Sequence, residues 1–242
     1  MAPLIDTDDQ RATKILDAAV QYSLKNPVSK TSSSPIVNPA STWTIEGVNY
    51  HGKIIPVTLS RELLPPMNLS QMQAHAREAK KTGEPYSANA PLVFAIAKRA
   101  MKLRHIEIKN FMRSAFFYIF PNTLSVVRYT PARRLDSIVH NPDLSNQYSS
   151  KLDFVAPDEF VRGSKRRKDY QALLGTNNPD EVADVFGWLT GKKAYAFKPY
   201  NTDRPQSVDE RVVRLDTNSD RFDLGCDGSP QGARVSFGVR FA

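Results

Sequence analysis

The sequence contains few of the residues that form disulfides or metal sites. Its 242 residues include one cysteine, Cys226, which excludes an intramolecular disulfide and any multi-cysteine metal site. The four histidines, His51, His75, His105 and His140, include no pair at metal-ligand spacing. We therefore predict that the protein holds no metal ion and needs no cofactor.

Common catalytic and membrane motifs are also missing. The sequence has no G-x-S-x-G, H-E-x-x-H, P-loop or G-x-G-x-x-G pattern. No apolar run approaches the roughly 20 residues of a membrane-spanning helix, and the amino-terminal residues lack the basic and apolar regions of a signal peptide. We expect a protein without catalytic residues, in a reducing aqueous compartment and with no membrane partner. The open alternative is an enzyme whose active site assembles from distant residues, with His105 or His140 beside an acid.

Acidic residues recur near the carboxyl end without forming a recognisable calcium loop. The segment that contains Asp216, Asp220, Asp223 and Asp227 lacks the dense oxygen pattern and the closing glutamate of such a loop. Arg214 and Arg221 lie among them, so we predict ion pairs between these arginines and the neighbouring carboxylates.

Prolines outnumber glycines, 17 to 11, which indicates many rigid and irregular connections. The segment from Lys25 to Ser41 is rich in serine and proline and has no apolar periodicity, as expected of a linker. We therefore predict a flexible N-terminal arm over residues 1–42, a mostly helical RNA-binding core over 43–194, and an extended C-terminal arm over 195–242.

Within the predicted core, helical signals predominate. Asn68 or Ser70, Asn89 and Asn178 are potential N-caps of three helices. The most apolar stretch, 106–120, is expected at the centre of the core. The β-branched and aromatic residues of 43–57 predict a small β-hairpin. Near the carboxyl end, apolar residues alternate along 234–242, which predicts a strand buried in its own core or on a neighbouring molecule. The predicted fold class is mainly α, a helical core with a small β-hairpin and two extended arms.

The charge balance favours a polyanionic partner. Lysine and arginine number 33 against 25 acidic residues, a formal net charge of +8. Arginine binds phosphate through a planar pair of donors, and a tyrosine beside it offers a flat surface for an unpaired base. The predicted RNA-binding residues, in three basic clusters, are Lys98, Lys102, Arg128, Tyr129, Arg133, Arg134, Lys165, Arg166, Arg167 and Lys168. The alternatives are a solvated charged surface and, for 165–168, a nuclear-localisation signal.

This layout of a polar arm, a hairpin, a helical basic core and an extended arm resembles the coat proteins of flexible filamentous plant viruses. In that family the core holds single-stranded RNA in a groove and the arms join subunits into a helix. The resemblance spans nearly the whole chain but lies in the layout alone. The Ala-Phe-Asp-Phe core block of that family is absent, and the nearest Phe-Asp pair, Phe222-Asp223, falls in the predicted C-terminal arm. No functional residue is therefore carried over from the family.

The resemblance and the basic clusters together predict a viral coat or nucleocapsid protein. It would bind single-stranded RNA without sequence specificity, associate with copies of itself through both arms, and assemble into a helical capsid. Its expected locations are the virion and, before assembly, the host cytoplasm. A second possibility is a subunit of a closed icosahedral shell with β-sandwich character, which a strand-rich fold would favour.

Overall fold

Two β-sheets form the framework of the protein. The structure, a computed structural model, describes residues 41–131, 135–152, 158–200 and 204–241, which belong to one compact unit. Strands account for 40% of the described residues and helices for 32%, so the predicted mainly α fold is wrong. Several strands are buried on both faces and therefore lack the polar–apolar alternation by which a strand is recognised.

The first sheet has four antiparallel strands in the order β1-β2-β11-β3. Its strands are β1 (Thr42–Tyr50), β2 (Lys53–Met67), β3 (Tyr86–Ser87) and β11 (Arg234–Phe241). The predicted hairpin is confirmed, because β1 and β2 join at His51 and Gly52, which have φ of 49° and 77°. Such positive φ values suit glycine and the tight turns of hairpins.

The second sheet has seven strands in the order β6-β5-β4-β9-β10-β8-β7. Its strands are β4 (Asn122–Tyr129), β5 (Asp136–His140), β6 (Tyr148–Leu152), β7 (Glu159–Phe160), β8 (Lys193–Phe197), β9 (Asp209–Thr217) and β10 (Arg221–Gly228). Strands β8 and β10 run parallel, and the other neighbouring pairs are antiparallel. The short strands β6 and β7 thus form the two edges of this sheet.

Five helices lie within the described residues. They are α1 (Leu69–Thr82), α2 (Ala90–Lys102), α3 (Ile106–Tyr118), α4 (Arg167–Leu174) and α5 (Pro179–Thr190). The predicted N-caps are confirmed, since the side chains of Asn68, Asn89 and Asn178 each accept a backbone N–H in the first turn. Gly83 and Gly191 end α1 and α5 in the left-handed conformation.

The centre of the core is α2 rather than the predicted stretch 106–120. Every residue from Ala90 to Ala97 is buried, because alanine-rich turns let neighbouring elements approach this helix closely. In contrast, α3 buries one face through residues such as Met112 and Phe116, and exposes Ile106 and Tyr118. The prediction from the apolar composition of residues 106–120 therefore overestimated how much of α3 is buried.

The predicted extended C-terminal arm is also wrong. Residues 195–242 contribute β9, β10 and β11, which occupy interior positions of both sheets. Phe222, Leu224, Phe237 and Val239 are buried in the core, so the apolar face predicted for the last strand is covered by its own chain. Of the predicted N-terminal arm, residues 1–40 lie outside the described residues.

Candidate nucleic-acid interface

A tight turn between β7 and α4 presents the most basic segment of the chain. Gly163 has φ of 76°, and its N–H donates to Asp180 Oδ1 at 2.9 Å. Ser164 Oγ bonds to Glu159 and accepts the N–H of Arg166 at 3.1 Å. These bonds fix the backbone from both sides, so the residues that follow leave the turn in a defined direction.

Two adjoining cavities open beside this turn. One, of about 410 Å³, is lined by Leu152 and by residues 165–169. The other, of about 470 Å³, shares Leu152, Arg167 and Lys168 with the first and extends to Lys151 on the edge strand β6. Together they are surrounded by five cationic side chains, which we call the basic cluster: Lys151, Lys165, Arg166, Arg167 and Lys168.

Among the described residues, most of the cations of the basic cluster have no acidic partner. Arg166 makes a bidentate pair with Asp169, with bonds of 2.9 and 3.2 Å. Within the part of the chain that the structure describes, Lys165, Arg167 and Lys168 form no ion pair and are exposed. Cations in this state keep their hydration and counterions, which a polyanion displaces on binding.

The surroundings add to this positive field. Burial and then the charge of Arg166 lower the pKa of Lys198, as expected where positive charge accumulates. The first turn of α4 has no side-chain cap at Arg166, so its backbone N–H groups add the positive end of the helix dipole. Burial raises the pKa of Asp169, an effect that its bonds to Arg166 oppose.

The other predicted RNA-binding residues lie outside the basic cluster. Lys98 pairs with Glu181 at 2.6 Å, and Arg128 pairs with Glu210 at 2.6 Å, so each already neutralises a carboxylate of the protein. Lys102 is exposed at the end of α2 and does not line either cavity. Arg133 and Arg134 lie outside the described residues.

The prediction that Tyr129 stacks on a base is wrong. Its side chain is fully buried, its hydroxyl donates to the Cys226 carbonyl at 3.1 Å, and its ring packs edge-on against Tyr200. Tyr129 ends β4 on the inward face, whereas Arg128 before it points outward. Successive strand residues face opposite sides, so the arginine and the tyrosine cannot share one binding surface.

Sequence reasoning missed Lys151, the fifth member of the basic cluster. It lies on β6, and 13 residues separate it from Lys165 along the chain. The fold joins them because α4 packs beside β6. A single lysine in a polar strand carries no sequence signal for this, so only the tertiary structure reveals it.

The residues considered for catalysis are buried or paired. Burial raises the pKa of the Cys226 thiol, which opposes formation of a thiolate. The predicted ion pairs are confirmed: Arg214 contacts Asp216 at 3.1 Å and Asp227 at 3.2 Å, and Arg221 contacts Asp223 at 2.8 Å. His105 caps α3 by accepting the N–H of Ile108.

His140 is held as a neutral ring inside the protein. Its Nε2 donates to the Ala172 carbonyl at 2.7 Å, so Nδ1 accepts the hydroxyl of Ser125 at 2.7 Å. Ser125 Oγ in turn accepts the N–H of Ala90 at 2.9 Å. This series of hydrogen bonds connects β4 and β5 to α2 and α4. It links the His140 ring to a hydroxyl, a carbonyl and an amide rather than to an acid.

Acidification is expected to destabilise the protein through His140. Burial lowers its pKa from 6.5 to about 4, so the unfolded chain takes up a proton at a pH where the folded chain does not. The neutral His140 ring makes its full contribution to the free energy of unfolding above pH 6.5. As the pH falls towards 4, the free energy of unfolding decreases by about 3 kcal/mol. An NMR titration is expected to show the His140 ring neutral at pH 5, and titration near pH 6.5 would contradict this account.

Comparisons with known proteins leave the family open. No protein-family model matches the chain, and neither the curated proteins nor the solved structures contain a significant match. Across the described ranges, none of the helices is both long and apolar enough to cross a membrane. The likeness to filamentous-virus coat proteins therefore stays a prediction.

Proposed function

We propose that the protein binds single-stranded RNA through the basic cluster. The observation that carries this proposal is the position of Lys165, Arg167 and Lys168, which are exposed around two joined cavities and have no acidic partner among the described residues. Lysine and arginine neutralise phosphates and release counterions, which supplies affinity for any nucleic-acid sequence. The cluster has five cations in a small area, and Asp169, the one acid among the described lining residues, is already paired.

The binding is non-specific in this proposal. Contacts to phosphate position a nucleic acid but carry no sequence information. The basic cluster lies at a turn and a sheet edge, and α4 is an eight-residue helix that begins within the cluster. A short helix buried along Tyr170, Leu173 and Leu174 cannot also enter the major groove of a duplex, so a flexible single strand is the better ligand.

We further propose that many copies of the protein coat RNA as a viral coat or nucleocapsid protein. Its support is the non-specific basic site together with the resemblance described above. The predicted C-terminal arm was one argument for a helical capsid. It no longer applies, because β9, β10 and β11 are part of the folded unit. The strand-rich fold instead favours the second candidate, a subunit of a closed shell, whose sheets would pack edge to edge or face to face.

Purification without nuclease tests this function. We expect the protein to retain RNA, which raises the ratio of absorbance at 260 nm to that at 280 nm, and to form regular particles in negative-stain images. Shells would support the closed assembly and threads the helical one. The proposed function would be contradicted if the absorbance ratio showed no bound nucleic acid and the protein stayed monodisperse when RNA was added.

A further inference from the structure

A third cavity, of about 560 Å³, opens at the opposite edge of the seven-stranded sheet from β6. Its lining includes Phe160, Gly187 and Gly191, with Arg162, Lys192 and Lys193 among its cationic residues. It combines apolar lining residues with positive charge and contains an exposed aromatic residue, Phe160. The function proposed above does not use it.

An exposed aromatic residue lies at the rim of this cavity. The side chain of Phe160 is 51% exposed, although burying a phenylalanine contributes favourably to folding. The ring is held edge-on against Tyr195, with ring centres 5.2 Å apart and an angle of 86° between the planes. The guanidinium of Arg221 lies 4.0 Å above the centre of the Tyr195 ring and is itself paired with Asp223. This support fixes the orientation of Phe160 while leaving it open to a ligand.

The rest of the cavity leaves room for a flat group. Two glycines and two alanines, Ala183 and Ala194, contribute almost no side-chain volume. A β-carbon built at Gly187 would come no closer than 3.9 Å to its nearest neighbour, and one at Gly191 would meet nothing within 4 Å. Side chains at these positions therefore do not fill the cavity, and the Phe160 ring stays accessible to a ligand on the Tyr195 face of the sheet.

The cations around the cavity suit a negatively charged ligand. Lys193 is exposed at the start of β8. Lys192 Nζ donates to the Ser219 carbonyl at 2.5 Å, a neutral partner that leaves its charge uncompensated. Arg162 is paired with Asp184, and both side chains are largely exposed, which makes this pair weak.

Chain continuity connects this cavity to the basic cluster. Phe160 precedes Lys165 by five residues, which span at most about 17 Å even when fully extended, and the turn at Gly163 shortens that distance. A single strand of nucleic acid a few nucleotides long can therefore contact both sites at once. The phosphates would lie on Lys165, Arg167 and Lys168, and a neighbouring base would reach Phe160.

We propose that the Phe160 cavity binds an unpaired nucleobase, which stacks on the phenylalanine ring while the basic cluster holds the adjoining phosphates. This inference rests on the proposed RNA binding and adds the group that selects single-stranded nucleic acid over other polyanions. Aromatic rings accept any base, so stacking adds affinity without sequence preference. In a duplex the faces of the bases are covered by their neighbours, which excludes them from this cavity.

The test compares a uridine 12-mer with an abasic 12-mer that has the same sugar-phosphate backbone, using fluorescence anisotropy. We expect the wild-type protein to bind the uridine oligomer about 5- to 100-fold more tightly than the abasic one. The Phe160→Ala variant should bind the two oligomers equally and bind the abasic oligomer as the wild type does. Tyr118→Ala, which removes another exposed ring (61% exposed), is the matched control and should keep the wild-type preference.

The outcomes separate this inference from the proposed function. If wild-type protein binds both oligomers equally well, or if Phe160→Ala keeps the preference for uridine, the nucleobase site is wrong and phosphate binding by the basic cluster stands. If neither oligomer binds the wild type, both proposals fail. Because Phe160 is half exposed, its replacement is expected to leave thermal unfolding unchanged, and circular dichroism of both variants checks that they fold.

Discussion

Replacing Lys165, Arg167 and Lys168 together with glutamine is expected to weaken the binding of a single-stranded RNA 12-mer by roughly 100- to 1,000-fold at 0.1 M salt. Each side chain supplies a charged hydrogen bond to a phosphate, worth about tenfold in affinity when removed. The three lie around two joined cavities and have no acidic partner among the described residues, so no intramolecular pair is broken by the change. Fluorescence anisotropy with a labelled oligonucleotide measures the loss.

A matched variant separates the position of the charges from the net charge. Lys53, Arg104 and Arg234 are also exposed, and they lie at the start of β2, after α2 and at the start of β11. Their joint replacement with glutamine lowers the net charge by the same three units and is expected to reduce affinity less than tenfold. Equal losses for the two triple variants would contradict a localised site and leave binding as a property of the whole charged surface.

Replacing Phe186 with alanine is expected to lower the free energy of unfolding by about 3–5 kcal/mol. This ring of α5 is fully buried and stacks on Phe222 of β10, with ring centres 4.3 Å apart and an angle of 20° between the planes. It also contacts Phe94 of α2 and Phe116 of α3. One side chain thus joins three helices to the seven-stranded sheet, and its removal leaves a cavity that rigid neighbours cannot fill.

Urea unfolding followed by circular dichroism measures this effect. Phe160→Ala removes the same atoms from an exposed position and is expected to change the free energy of unfolding by less than about 1 kcal/mol. A loss below about 1 kcal/mol for Phe186→Ala would contradict the packing of helices on this sheet. Such a result would place the ring in a loosely packed or solvent-accessible environment.

The helices could be predicted from the sequence because their signals are local. Asn68 and Asn89 accept hydrogen bonds from residues three positions further along the chain, and Gly191 closes α5 by its own backbone conformation. Strand β4 gives no such signal. Seven of its eight residues are buried, and it pairs with β9, about 85 residues away, so its identity as a strand depends on distant partners. Strands β9 and β10, which the sequence suggested to be an extended arm, form a local hairpin, but the distant pairing of β9 with β4 places them inside the sheet.

The candidate site likewise has features that the sequence reveals and features that only the fold reveals. The cations of 165–168 are adjacent in sequence, so their proximity needed no tertiary information. The partners of Lys98 and Arg128 lie 83 and 82 residues away, at Glu181 and Glu210, and nothing local reveals that these charges are already neutralised. The burial of Tyr129 likewise follows from the pairing of β4 between β5 and β9.

The dependence of RNA affinity on salt concentration reports how many phosphates the basic cluster neutralises. For a single-stranded ligand, the logarithm of the binding constant falls with the logarithm of salt concentration with a slope of about −0.7 per neutralised phosphate. If Lys165, Arg167 and Lys168 each contact one phosphate, the slope of the triple glutamine variant will be shallower than that of the wild type by about 2. Equal slopes for the two proteins would show that these three residues do not contact the RNA backbone.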